Sequence, residues 1–105
     1  MFGPYPLTPE SVDNWVLQPT GTYALGNIAG NFLYPDRVGR SVGDLAGRIK
    51  DYRWQHPFFL VQYASSAIEA YHQECDLYHR CRPRNNPIHP AKPLGYTGYC
   101  LICFN

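Results

Sequence analysis

Apolar and polar residues change rhythm several times along this chain, and each change predicts an element. Residues 20–26 and 32–40 mix apolar and polar positions at strand length, with a turn cluster containing Gly30 between them. Two strands joined by a short Gly/Asn turn predict a hairpin, and Pro35 marks a bulge or an edge on its second strand. Leu45, Ile49 and Tyr52 then recur at helical spacing with Arg48 beside them, which predicts a helix over 42–54. Ser41 can cap it, and Asp44 suits its positive end. Pro57 breaks the chain. Residues 58–63 form a short aromatic and apolar run that predicts a buried third strand. Ser66-Ala67-Ile68-Glu69 fits the S-x-x-E capping box. A helix from there to about residue 80 would bury Ile68, Tyr71, Cys75 and Tyr78 and stop before Pro83.

The flanks are less periodic. Residues 1–19 are Pro-rich and read as an arm, with a short helical turn over 9–17 packing Val12, Trp15 and Val16 on the body. Residues 83–98 are rich in Pro, Asn and Gly and predict a loop, and an apolar tail follows. The domain proper spans 20–86, with 87–105 as a loop and tail on the same body. The order hairpin, helix, strand, helix predicts a small α/β (α+β) layer with a three-stranded, mainly antiparallel sheet flanked by helices.

Composition narrows the picture. Hydrophobic residues are 45% of the 105 and charged residues 16%, enough apolar material for a core. No apolar run approaches the roughly 18 residues of a membrane span. The N-terminus carries neither a basic start nor an apolar h-region, so a secretory signal is not expected and a reducing, cytoplasmic compartment is. The formal net charge of +1 excludes a strongly basic, histone-like binder. Its distribution is uneven: all nine basic residues fall between Arg37 and Lys92, and beyond Leu77 there are basic residues and no acid. Arg80, Arg82, Arg84 and Lys92, gathered on one side, would attract a polyanion.

Separate pieces then line up in order. Gly21-Thr22-Tyr23 sits on the first hairpin strand. Arg37-Val38-Gly39-Arg40 closes the second, followed by Leu45 and Arg48. Glu74-x-x-Leu77, Pro83, Arg84 and Asn86 follow in the last helix and beyond. Together they resemble the GIY-YIG nuclease domain, over roughly residues 20–86. Glu74, Leu77, Pro83, Arg84 and Asn86 match the E-x-x-L-I-x-x-x-x-P-R-x-N pattern of its excision-repair members. The resemblance implies phosphodiester hydrolysis of DNA or RNA with a divalent cation, Mg²⁺ or Mn²⁺, on Glu74. It gives the phosphate to Arg48 and Arg40, the nucleophilic water to Tyr23, and orientation by hydrogen bonds to Asn86. Such chemistry needs an activated water, a charge clamp and a stabilised leaving oxygen. A hard cation on a carboxylate and an arginine fork supply much of it. Arg37 stands where the family has its second tyrosine, and arginine keeps its proton at pH 7. Arg37, with Arg80, Arg82 and Arg84, would bind substrate. A stand-alone domain of this size implies low sequence specificity or a protein partner that supplies it. Two other readings of the same residues stay open: a nucleic-acid-binding module that does not cut, and a protein-interaction or inhibitor protein using its aromatic surface.

The four cysteines suggest a second chemistry. Cys75 and His79 are four apart on the predicted helix and share a face. Cys100-x-x-Cys103 lets two thiolates grip one metal. C-x3-H with C-x2-C is a tetrahedral zinc set that would pin the tail to the helix, with His89 as the alternative ligand. Cys81 is left over. A redox C-x-x-C lacks its usual place at a helix start.

Overall fold

The computed structural model describes residues 1–83, 85–86 and 88–104. Along the chain they form β1 (Phe2–Pro6), α1 (Pro9–Trp15), β2 (Gly21–Ala29), β3 (Phe32–Ser41), α2 (Leu45–Lys50), β4 (Phe58–Tyr63) and α3 (Ala67–Cys81). The strands make one sheet in the order β1-β4-β2-β3, and every neighbouring pair is antiparallel. The fold is α+β.

The predicted hairpin β2–β3 forms, but β2 runs on to Ala29 through residues expected in the turn, because Asn27, Ile28 and Ala29 pair with Tyr34, Leu33 and Phe32; Gly30 supplies the positive φ (64°) of the tighter turn. Its register slips by one residue between Leu25, opposite Arg37, and Gly26, opposite Pro35. Pro35 therefore marks both a bulge and an edge, because β3 is the outermost strand. The predicted three-stranded sheet has a fourth member. Phe2–Pro6, expected to be part of an irregular arm, pairs with β4 through Phe2–Val61, Tyr5–Phe59 and Pro6–Phe58. Its prolines are tolerated because β1 is the other edge.

The sheet is covered on both faces. Tyr23, Leu25, Phe59 and Val61 point to one, where α1 and α2 supply Val12, Leu45 and Ile49, joined by Leu7 and Val16. Each fully buried side chain there is worth about 1.5–3 kcal/mol relative to exposure, so the N-terminal segment is an integral part of this core. Trp15, expected to be buried, is half exposed and stacks on Tyr5, the centroids 5.0 Å apart. On the other face Ala24 and Val38 meet Leu77 of α3. Thr22 Oγ1 donates to Gln73 Oε1, and Gln73 Nε2 donates to the Tyr63 carbonyl, tying α3 to the sheet.

Local sequence explains where the helices begin. Ser66 Oγ accepts from the Glu69 N–H at 3.0 Å, as its motif predicts. The second helix starts at Leu45, later than predicted, because Gly43 takes a positive φ of 93° and interrupts the run from Ser41. The Leu45 N–H is instead satisfied by the Pro19 carbonyl. On α3, Tyr71 and Cys75 are fully buried, Tyr78 is half-buried, and Ile68 is exposed although helical spacing predicted burial.

Candidate functional site

A shallow cavity of about 300 Å³ opens at the outer edge of the sheet and is lined by Tyr23, Arg37, Val38, Gly39, Arg40, Arg48, Glu74, Asn86 and Ala91. Tyr23, Arg40, Arg48, Glu74, Asn86 and Arg37, all singled out from the sequence, thus share one cleft. It straddles β3. Arg40 and Val38 point to the α3 face of the sheet, whereas Tyr23, opposite Gly39, and Arg37, opposite Leu25, point to the α2 face. Gly39 opens the way between them. A Cβ there would overlap the hydroxyl and ring of Tyr23, so only glycine lets that ring lie across the strand.

Glu74 projects from α3 onto Arg40, whose Nη1 donates to Glu74 Oε1 at 2.6 Å. Glu74 is only 8% exposed. Burial raises its pKa above the ordinary value, and Arg40 offsets that only in part. The Arg40 guanidinium also lies 5.3 Å above the Tyr71 ring and donates through Nη2 to the Ala91 carbonyl. Burial pushes the Tyr23 hydroxyl well above the usual phenol range; neighbouring Tyr52 raises it further and the Arg48 charge opposes this. Arg37 stacks 5.0 Å over the Tyr52 ring, and its Nε is buried without a hydrogen-bond partner among the described residues. Arg48 is exposed on α2 and forms no side-chain hydrogen bond or ion pair among the described residues. The cavity therefore gathers three guanidinium groups against one carboxylate.

Asn86 serves the strand as well as the cavity. Its Oδ1 accepts from the Val38 N–H at 2.8 Å and its Nδ2 donates to the Val38 carbonyl at 2.9 Å. In an antiparallel pair every second residue directs both backbone groups away from its partner. On an edge strand these groups need another partner, and the Asn86 amide supplies both bonds. The Asn85 N–H adds a bond to the Asp36 carbonyl at 2.7 Å.

A second group lies beyond the end of α3. One donor atom each from His79, His89, Cys100 and Cys103 falls within 4.8 Å of all the others, so the set can hold a metal ion such as zinc. Cys100 Sγ is 3.5 Å from His79 Nε2 and Cys103 Sγ is 3.4 Å from His89 Nε2. A tetrahedral zinc ion, with Zn–S near 2.3 Å and Zn–N near 2.0–2.1 Å, sets such edges at about 3.5 Å. His89, the alternative ligand in the sequence, takes the place given to Cys75. Helical spacing does bring Cys75 to this side of α3, but beside Tyr71 and Cys100 in a buried apolar cluster. Burial pushes its thiol up to about 12. Burial also raises Cys100, but the backbone N–H groups of Cys103 and Ile102, with His89 and Cys75 nearby, outweigh it and bring that thiol to about 5. All four cysteines are free.

The other predicted binding residues lie elsewhere. Arg80 is paired with Asp76 on the exposed side of α3. Arg82, in the left-handed conformation, ends α3 and lines a neighbouring cavity with Tyr78, His79, Pro83 and Asn86. Arg84 lies outside the described residues. The contribution of Tyr52 could have been read from the sequence, since it lies four residues beyond Arg48 on the same helical face. Ala91 acts through a backbone carbonyl and leaves no side-chain signature. No helix among the described residues is long and apolar enough to cross a membrane. Comparison of the chain with protein-family models, curated proteins and solved structures finds no match.

Proposed function

We propose that this protein is a small, GIY-YIG-like metal-dependent endonuclease. The observation that carries the reading is the meeting of Tyr23, Arg40, Arg48, Glu74 and Asn86 in one cavity, from β2, β3, α2, α3 and the segment after α3. Their order along the chain is the order the resemblance implies. Among the described residues Arg48 is exposed with no side-chain hydrogen bond or ion pair and the Arg37 Nε is buried without a hydrogen-bond partner, which an ion-pair network made only for stability would not require.

Glu74 suits a hard divalent cation. It is a buried carboxylate whose charge Arg40 only partly offsets, and Mg²⁺ commonly takes one or two carboxylates, with water and phosphate oxygens completing its shell. Bound to Glu74, such an ion supplies charge stabilisation and a more acidic water. The protein's own residues do the rest. Arg48 and Arg37 grip the non-bridging phosphate oxygens with permanent charges and forked donors. Arg40 orients the Glu74 carboxylate. Tyr23 holds its proton because it is buried, so it orients the attacking water by hydrogen bonding. Asn86 keeps the β3 edge straight behind them. The His79–His89–Cys100–Cys103 group is a separate, structural zinc centre.

The second reading is a nucleic-acid-binding module that does not cut, favoured by Arg37 in the place of a tyrosine. Fluorescence anisotropy with short labelled DNA and RNA, comparing wild type with Glu74→Ala at several salt concentrations, separates the readings. Both predict affinity that falls steeply with salt, through release of counterions from the phosphates. A non-cutting module leaves the oligonucleotides intact with Mg²⁺ or Mn²⁺ and binds as tightly or more tightly in the variant. The nuclease shortens them, and the variant does not. Affinity insensitive to salt would contradict both and leave an apolar protein interface.

A further inference from the structure

We infer that one zinc ion held by His79, His89, Cys100 and Cys103 clamps the segment after α3 to the helix and thereby holds the Ala91 carbonyl on Arg40 at the cavity rim. The inference deepens the structural-zinc reading above and rests on it, independently of the nuclease reading.

The segment has little else to hold it. Residues 88–104 contain no helix or strand, and among them only Pro90 and Cys100 are buried. Ile88, Leu94, Leu101 and Phe104 are all well exposed, so apolar burial offsets little of the entropy lost in ordering this backbone. Among the described residues its anchors on α3 are side-chain contacts alone: Tyr96, whose hydroxyl lies 3.1 Å from His72 Nε2 and whose ring lies 5.7 Å from that of Tyr71, Cys100 against Tyr71 and Cys75, and the His89 ring beside Tyr78 and His79. A metal that binds the folded form alone supplies the missing free energy.

The site also has the supports that a metal centre needs. His89 Nδ1 lies 3.0 Å from the Pro90 carbonyl. Donating there would fix the tautomer and leave Nε2, the atom facing Cys103, as the ligand. The Ile102 N–H donates to Cys100 Sγ at 3.5 Å, which favours the thiolate. The Phe104 N–H closes the C-x-x-C turn on the Cys100 carbonyl at 2.9 Å.

From this centre a short path leads to the cavity. Ala91 follows His89 by two residues, so fixing the His89 ring fixes the carbonyl that accepts from Arg40 Nη2. The other arm of the same guanidinium donates to Glu74. Occupancy of the zinc centre therefore sets how many partners hold Arg40, and through it the orientation of the Glu74 carboxylate. The ion and Ala91 position; they do not touch the reacting atoms.

The test uses the full chain and zinc alone. Native mass spectrometry counts bound zinc in wild type, Cys103→Ser, His89→Gln and Cys81→Ser, the last lying outside the group. Nuclear magnetic resonance follows the Arg40 guanidinium protons, assigned by their absence in Arg40→Lys, and sheet amide exchange in the same samples. Expected are one zinc in wild type and Cys81→Ser, affinity weaker by at least about tenfold in the two ligand variants, and Arg40 signals that broaden on chelation while β2 and β4 amides stay protected. If a ligand variant does not fold, chelation of wild type decides. Failure of wild type to bind stoichiometric zinc overturns the inference. So do Arg40 signals unchanged by chelation, and so does loss of all sheet protection, which would mean the ion holds the whole fold. Failure to cut nucleic acid would leave every one of these readings intact.

Discussion

Position 39 is held to glycine by Tyr23. The Tyr23 ring occupies the space a Cβ on Gly39 would need. Gly39→Ala should therefore cost about 1–3 kcal/mol through overpacking, read as a lower urea midpoint; an unchanged midpoint would show that the ring moves freely. Glu74 makes the opposite prediction. Its folded-state pKa is raised, so its charge opposes folding as pH rises from the ordinary carboxyl value through the folded one. Without divalent cations, Glu74→Gln should melt no lower than wild type at pH 7, and the difference should vanish below the ordinary carboxyl value. A melting temperature several degrees lower at pH 7 would make Glu74 chiefly a stabilising partner of Arg40. The sequence made Tyr23, Arg40, Arg48 and Glu74 legible because motif order places them on particular elements. It did not show that Arg37 stacks on Tyr52, because that pairing depends on the β3 bulge bringing residue 37 opposite Leu25.

Elements that bury a dense apolar pattern were readable, and those defined by edges were not. The aromatic run of β4 and the capped start of α3 appear where expected. β1 was missed because Phe2-Gly3-Pro4-Tyr5-Pro6 has poor strand propensity and gains its hydrogen bonds only by lying against β4. The start of α2 was misplaced because Gly43 prefers a turn to a helix. Among the described residues, the outward backbone groups of Val38 on the β3 edge are satisfied by one side chain, the Asn86 amide. Asn86→Ala leaves a nearly buried N–H and carbonyl without that partner, at about 1–3 kcal/mol for an unsatisfied group. Urea unfolding should shift accordingly, with Asn86→Asp, which keeps only the acceptor, shifting less. Equal midpoints in all forms would show that water replaces the amide at no cost.

At the scale of the whole molecule, a two-faced sheet ends in two outer strands, β1 and β3, and the candidate site residues gather where β3 is left accessible. α2 brings Arg48 from one face, α3 brings Glu74 from the other, and the segment after α3 closes the rim through Asn86 and Ala91. Three of the four residues that could hold a metal, His79, Cys100 and Cys103, were legible in the C-x3-H and C-x2-C spacings, but the choice of His89 over Cys75 was not. Helical spacing gives Cys75 the right face, whereas the course of a loop without periodicity decides that His89 arrives instead. Under the proposed function, this edge cavity cuts phosphodiester bonds through Glu74. Single-turnover cleavage of end-labelled single- and double-stranded DNA and RNA, with Mg²⁺ or Mn²⁺, by wild type and a folded Glu74→Gln measures it most directly. Cleavage by wild type should fall by at least about a hundredfold in the variant, as expected when a group that serves to stabilise transition-state charge is removed. No cleavage by wild type on any substrate, or equal cleavage by both proteins, would contradict it.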